Sequence, residues 1–155
     1  MSENDVAKIV VDCAYKVHTT LGPGLLESVY LIALQHEIRK RGLRAERQVP
    51  LPVVYDDITF DEGFRMDLIV EELVVVELKS VEDVHPVHKK QLLTYLRLSG
   101  KKLGLLINFG DVLIKDGISR VVNGLKELRL CVFAPLRELS VRRLLCRVVL
   151  QASSK

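Results

Sequence analysis

No apolar run in this sequence reaches the roughly 18 residues that a membrane span requires, and no internal repeat or low-complexity linker interrupts it. The opening residues, Met1-Ser2-Glu3-Asn4-Asp5, are polar and acidic, unlike the basic and then apolar order of a secretory signal. Cysteine is scarce: Cys13, Cys131 and Cys146 are an odd, scattered set. That pattern predicts reduced thiols in a cytoplasmic protein, not a disulfide framework or a zinc site. The sequence has no P-loop (GxxxxGK followed by Ser or Thr), no HExxH and no CxxC, which argues against an ATPase, a zinc protease and a thiol redox enzyme. Gly22 and Gly24 read as turn residues and do not form a phosphate loop.

What is present is enough for one well-packed domain. The chain has 155 residues, 48% of them hydrophobic and 28% charged, so disorder throughout is excluded. The net charge of +3 is unevenly spread. Residues 125–155 hold Lys126, Arg129, Arg137, Arg142, Arg143, Arg147 and Lys155 against Glu127 and Glu138, a balance of +5, which leaves −2 for residues 1–124. The basic character that would suggest nucleic acid binding therefore belongs to the last fifth of the chain.

Periodicity assigns the elements. Val6, Ile9, Val10, Cys13, Ala14 and Val17 recur at helical spacing, and Leu21-Gly22-Pro23-Gly24 ends that helix. A second helix is expected from about Leu25 to Arg41, with Gly42 as its cap. The period then changes to two. Val49, Leu51 and Val53 mark a strand whose Pro50 and Pro52 place it at a sheet edge. A turn at Asp56-Asp57 leads to strands over 60–70 and 73–79, joined tightly at Glu71-Glu72. The run Leu73-Val74-Val75-Val76 is apolar enough to be covered on both faces. A helix over 88–99, a buried strand over 103–109 and an edge strand over 113–122 complete the order. The expected fold is an α/β sandwich with a mixed central sheet, flanked by helices and containing one helical crossover. Residues 1–124 form the domain. Residues 125–155 form a basic extension, in which Val141, Leu144, Leu145, Val148 and Val149 outline one face of an amphipathic helix. That face is expected to pack on the domain or on a second copy.

The residues with chemical potential gather around one hairpin. Glu77 and Lys79 are two apart on a strand and point to the same face. A turn at Glu71-Glu72 would bring Asp67 on the neighbouring strand within reach of both. Two carboxylates among Val and Leu are costly unless they pair or bind a cation, and an oxygen donor set suits Mg²⁺. Taken alone, an Asp and a Glu–Lys pair on strands are ordinarily solvated ion pairs. Gln91 and Tyr95, four apart, share a face of the following helix. Glu27 stands in the first turn of the second helix, where an acid complements the helix dipole without any catalytic role. His85 and His88 flank the same strand and read as polar residues of a loop-to-helix junction.

In combination these segments resemble a known family. Gly24, Glu27 and Tyr30 match the motif of the bacterial GxxExxY proteins. Gln48-Val49-Pro50-Leu51, Phe64-Arg65-Met66-Asp67-Leu68, Glu77-Leu78-Lys79-Ser80, Gln91 to Leu96 and Gly104 to Gly110 follow in the same order. The likeness covers about residues 5–123. That family looks like a compact branch of the PD-(D/E)XK nucleases. The resemblance implies a restriction-endonuclease-like core of a helix, a three-stranded meander, a helix and a further strand. It further implies hydrolysis of DNA, less readily RNA, with Mg²⁺ or Mn²⁺. Asp67 and Glu77 would hold the metal, Lys79 would be the catalytic lysine, and Glu27 the helical acid that completes the site. Gln91 and Tyr95 would match the QxxxY element. Met66 stands where proline precedes the aspartate in the pattern. A homodimer and a nuclease-fold module without catalysis are both compatible with this reading.

Overall fold

A computed structural model describes residues 1–124, without the side chains of 61–63. The expected helix at 141–149 lies outside the described residues. The elements are α1 (Glu3–Leu21), α2 (Glu27–Lys40), β1 (Ala45–Tyr55), β2 (Ile58–Val70), β3 (Val74–Lys79), α3 (Pro86–Ser99), β4 (Leu103–Asn108), α4 (Ile114–Gly117) and β5 (Ile118–Val122). The strands form one five-stranded sheet in the order β1-β2-β3-β4-β5. β1, β2 and β3 make an antiparallel meander, β4 lies parallel to β3, and β5 is antiparallel to β4. The parallel pair requires a crossover, and α3 provides it.

Local chemistry explains most of these boundaries. A capping box between Ser2 and Asp5 starts α1. α3 begins two residues before its expected start, with Pro86 in the first turn and the His85 ring accepting from the Val87 N–H. His85 is thus a helix cap. Asp56 and Asp57, at φ 48° and 65°, form the two-residue turn between β1 and β2, and Glu71 and Glu72 repeat that left-handed pair before β3. One expectation fails. The strand expected over 113–122 is split, because Ile114–Gly117 is a helical turn and only Ile118–Val122 pairs with β4. Ile114 there enters the core on the α1 side, and Gly117 lies where a Cβ would come within 2.3 Å of the Asn108 carbonyl oxygen.

The sheet is covered on both faces. Val6, Val10, Ala14 and Val17 of α1, with Tyr30, Leu34 and Ile38 of α2, pack on Val74, Val76, Leu78, Leu105 and Ile107. On the other face Leu92, Tyr95 and Leu96 of α3 pack on Val75 and Leu106. β3 is buried from Val74 to Leu78, as its run of apolar residues predicts. Alternation along β3 assigns Glu77 and Lys79 to the same face as Val75, the one under α3.

The β1–β2 hairpin changes faces along its length. Ala45, Leu68 and Val70 belong to the α1/α2 layer. Leu51 and Met66, with the partly buried Val49, belong to the α3 layer. The strict period of two would keep Ala45 with Val49 and Met66 with Leu68. Both strands switch at Gln48 and Asp67, which lie between the pairs Arg47↔Leu68 and Val49↔Met66. Gln48 has φ 56°.

Candidate active site

The site lies at the carboxyl end of β3, where the sheet runs out between α2 and α3. β2 and β3 are paired only from Leu68↔Val76 to Val70↔Val74. Beyond that point the Asp67 side chain takes the place of the missing ladder: its Oδ2 accepts from the Leu78 N–H at 2.9 Å. Its Oδ1 is approached by Gln48 Nε2 at 3.4 Å. One carboxylate is therefore anchored beside β3 by backbone.

Glu77 and Lys79 project from the same strand end. Lys79 Nζ donates to Glu77 Oε1 at 2.9 Å and to the Leu78 carbonyl at 2.7 Å, and lies 3.8 Å from Glu27 Oε2. The Glu77 side chain is only 4% exposed, against 41% for Glu27. Its second oxygen, Oε2, is buried and has no hydrogen-bond partner. Burial drives the Glu77 carboxyl up to about 7, and the Asp67 charge adds to that rise. An adjacent ammonium ordinarily lowers a carboxyl, so at Glu77 desolvation outweighs Lys79. Burial alone would lower Lys79, but its bond to Glu77 and the charges of Glu77, Glu27 and Asp67 hold it above its ordinary value. Burial also raises Glu27, with Lys79 opposing.

Glu27 reaches this group from the opposite helical layer, and its approach depends on the turn before α2. The Tyr30 hydroxyl donates to the Gly22 carbonyl and accepts from the Leu25 N–H at 3.1 Å. Ser80, directly after Lys79, donates from Oγ to the Leu25 carbonyl at 2.7 Å. Tyr30 is thus a buried latch that sets the start of α2, and Glu27 rides on it. Periodicity alone assigns Tyr30 to an apolar helix face and misses this role.

α3 forms the remaining wall. Gln91 Nε2 donates to the Tyr95 hydroxyl. Tyr95 is 3% exposed and packs edge-tilted on Phe64. Burial raises its phenol, and the charges of Glu77 and Asp67 add to the rise. His88, one turn nearer the strand end, has a buried Nδ1 without a partner. Burial first, then the Lys79 charge, lowers its ring. Asn108 escapes attention in the sequence. Fully buried, it bonds reciprocally with the Val81 backbone and donates to Asp111 at 2.8 Å, fixing the strand exit after Lys79.

Residues 4–121 match the sequence profile of the PD-(D/E)XK nuclease superfamily. The chain belongs to that superfamily. Searches of curated proteins and of solved structures gave no match. The mixed sheet between helical layers is the architecture expected of a PD-(D/E)XK nuclease, and such nucleases generally depend on divalent metal. Among the described residues, no three His, Cys, Asp or Glu side chains group closely enough to make a ready-formed metal site. The chemistry of the donors still fits a divalent ion. The buried Glu77 Oε2 has no hydrogen-bond partner among the described residues, and the next backbone N–H, that of Leu78, donates to Asp67. A magnesium ion takes few protein oxygens and keeps several waters. In this structure the Lys79 ammonium holds two oxygens such an ion would seek, Glu77 Oε1 and the Leu78 carbonyl. No described helix is long and apolar enough to cross a membrane.

Proposed function

We propose that this PD-(D/E)XK protein is a metal-dependent phosphodiester hydrolase acting on DNA, with RNA the second choice, in the cytoplasm. The observation that supports it most is the unpaired, buried Glu77 Oε2, one residue before the Leu78 N–H that anchors the Asp67 carboxylate. Asp67 and Glu77 would hold Mg²⁺ or Mn²⁺, which supplies Lewis-acid polarisation of the phosphate and a more acidic water. Lys79 would turn from Glu77 Oε1 toward the scissile phosphate and offset its charge. Glu27 would hold the other side of Lys79 as it turns. Gln91 and Tyr95 would keep the wall beside the acids dry and ordered. A homodimer, with one such site for each strand of a duplex, accompanies the proposal.

The test pairs a Mn²⁺ titration by calorimetry with cleavage of labelled duplex and single-stranded oligonucleotides. The wild type should bind the ion and cut. Asp67→Ala should do neither. A second reading, a nuclease-fold binding module without catalysis, draws on the Lys79 ammonium standing among the acids and on the −2 balance of residues 1–124. Nucleic acid binding that ignores Mn²⁺, with no cleavage, would favour it.

A further inference from the structure

Gln48 is the one residue of β1 with a left-handed backbone, and its side chain reaches Asp67 of the neighbouring strand. A left-handed conformation strains any residue with a Cβ. Glycine or asparagine is the usual occupant. Glutamine here, inside a strand and away from any turn, is an outlier that asks for a reason. Two reasons are visible. The backbone switches the hairpin from one helical layer to the other, as the core memberships of Ala45 and Leu51 show. The side chain then puts Nε2 3.4 Å from Asp67 Oδ1, on the opposite side of that carboxylate from the Leu78 N–H. The first task needs only the backbone, and glycine would do it with less strain. The second needs the amide.

We infer that Gln48 is a positioning residue for Asp67, its amide steadying Oδ1 while the Leu78 N–H holds Oδ2, so that the carboxylate keeps a fixed orientation at the end of β3. The inference rests on the proposed metal role of Asp67 for its functional consequence, but not for its geometry. Arg65 Nη1 reaches the Gln48 carbonyl at 3.5 Å, a long contact that ties the same residue to the neighbouring strand. The contact to Oδ1 is also long and lies on the exposed flank of the carboxylate. The amide therefore restricts the rotamer without withdrawing Oδ1 from a cation or a substrate. Groups that orient a metal ligand commonly change metal affinity by tenfold or more when removed.

Gln48→Gly separates the two tasks, since it keeps the left-handed backbone and deletes the amide. Gln48→Asn keeps an amide on a residue that tolerates this φ. Three readouts apply to the full chain: thermal stability, amide hydrogen exchange at Leu78, and Mn²⁺ affinity. Gln48→Gly should melt no lower than the wild type. Its Leu78 amide should exchange about twofold faster, the low end for a lost hydrogen bond because the Gln48 contact is long, while Val75 and Val76 exchange as before. Its Mn²⁺ affinity should fall by about tenfold, and Gln48→Asn should recover part of both losses. An unchanged Leu78 exchange rate in Gln48→Gly overturns the inference, because Asp67 then holds its place unaided. If the wild type binds no Mn²⁺ but Leu78 exchange still responds, Gln48 positions Asp67 and the metal role of the site is what fails.

Discussion

The ring of Tyr30 stacks on that of Phe109, 4.4 Å between centroids and 9° from parallel. This pair joins the first turns of α2 to the residue that follows β4, and both ends of the contact border the site. The Tyr30 ring supplies the packing while its hydroxyl ties down the Gly22–Leu25 turn.

Removing only the hydroxyl should therefore leave the core filled and loosen the turn. Tyr30→Phe should lower stability in urea by about 1–2 kcal/mol, the cost of leaving the turn's backbone groups without that partner. Glu27 should then approach Lys79 less closely. A wild-type urea midpoint would show that the turn holds itself.

Glu77 makes stability depend on pH. Its ordinary value is 4.5 and its folded value about 7. Between those values the unfolded chain has released the proton and the folded chain still binds it. Metal-free stability should thus fall as pH rises across that window, by up to roughly 3 kcal/mol, and level off above it. Glu77→Gln should flatten this decline and be the more stable protein at pH 8, while failing to gain stability from Mn²⁺. Denaturant curves at pH 5 and pH 8, with and without the ion, test all three statements.

Lys79 is the nearest positive charge to Glu77. Lys79→Met should push the Glu77 carboxyl higher still, because desolvation and the Asp67 charge would then act with less opposition. Carboxyl-carbon NMR titration reads this directly. A Glu77 value that falls or stays in place would mean that Lys79 does not stabilise the ionised form.

Gly110 admits no side chain. A Cβ there would lie 2.2 Å from the Val81 carbonyl oxygen, so Gly110→Ala must move backbone. We expect a loss of about 3 kcal/mol by chemical denaturation, together with weaker Mn²⁺ binding, since the displaced Val81 lies two residues from Lys79. A fully stable variant would contradict the tight packing of this turn.

Much of the frame was legible because short-range rules decide it. Pro50 and Pro52 cannot donate to a ladder and did select the edge strand. Asp56-Asp57 and Glu71-Glu72 sit where the apolar alternation breaks, and both are turns. The hairpin and strand alternation also bring Asp67, Glu77 and Lys79 to one strand end. Other features were hidden because distant packing sets them. Nothing in Leu113 to Val122 announces that Gly117 must lie against the Asn108 carbonyl, where a Cβ would come within 2.3 Å. That contact converts half an expected strand into a helical turn. Gln48 was equally opaque, since glutamine carries no preference for a left-handed backbone. The occupation of the Leu78 carbonyl by Lys79 is a choice of rotamer, which sequence spacing does not encode.

The parallel pairing of β3 with β4 has a kinetic side. The meander from β1 to β3 can zip from its two tight turns, each closing a short loop. β4 can dock only after the whole of α3 has been drawn across the sheet, and such non-local closure is slow. The strand end that carries Glu77 and Lys79 lies at that late seam. In refolding, the meander should acquire amide protection first, and the Lys79–Asn108 end of the β3–β4 pair last. During that interval β3 presents an unpaired edge that is apolar from Val74 to Val76, and the chain is then most exposed to association with its own kind.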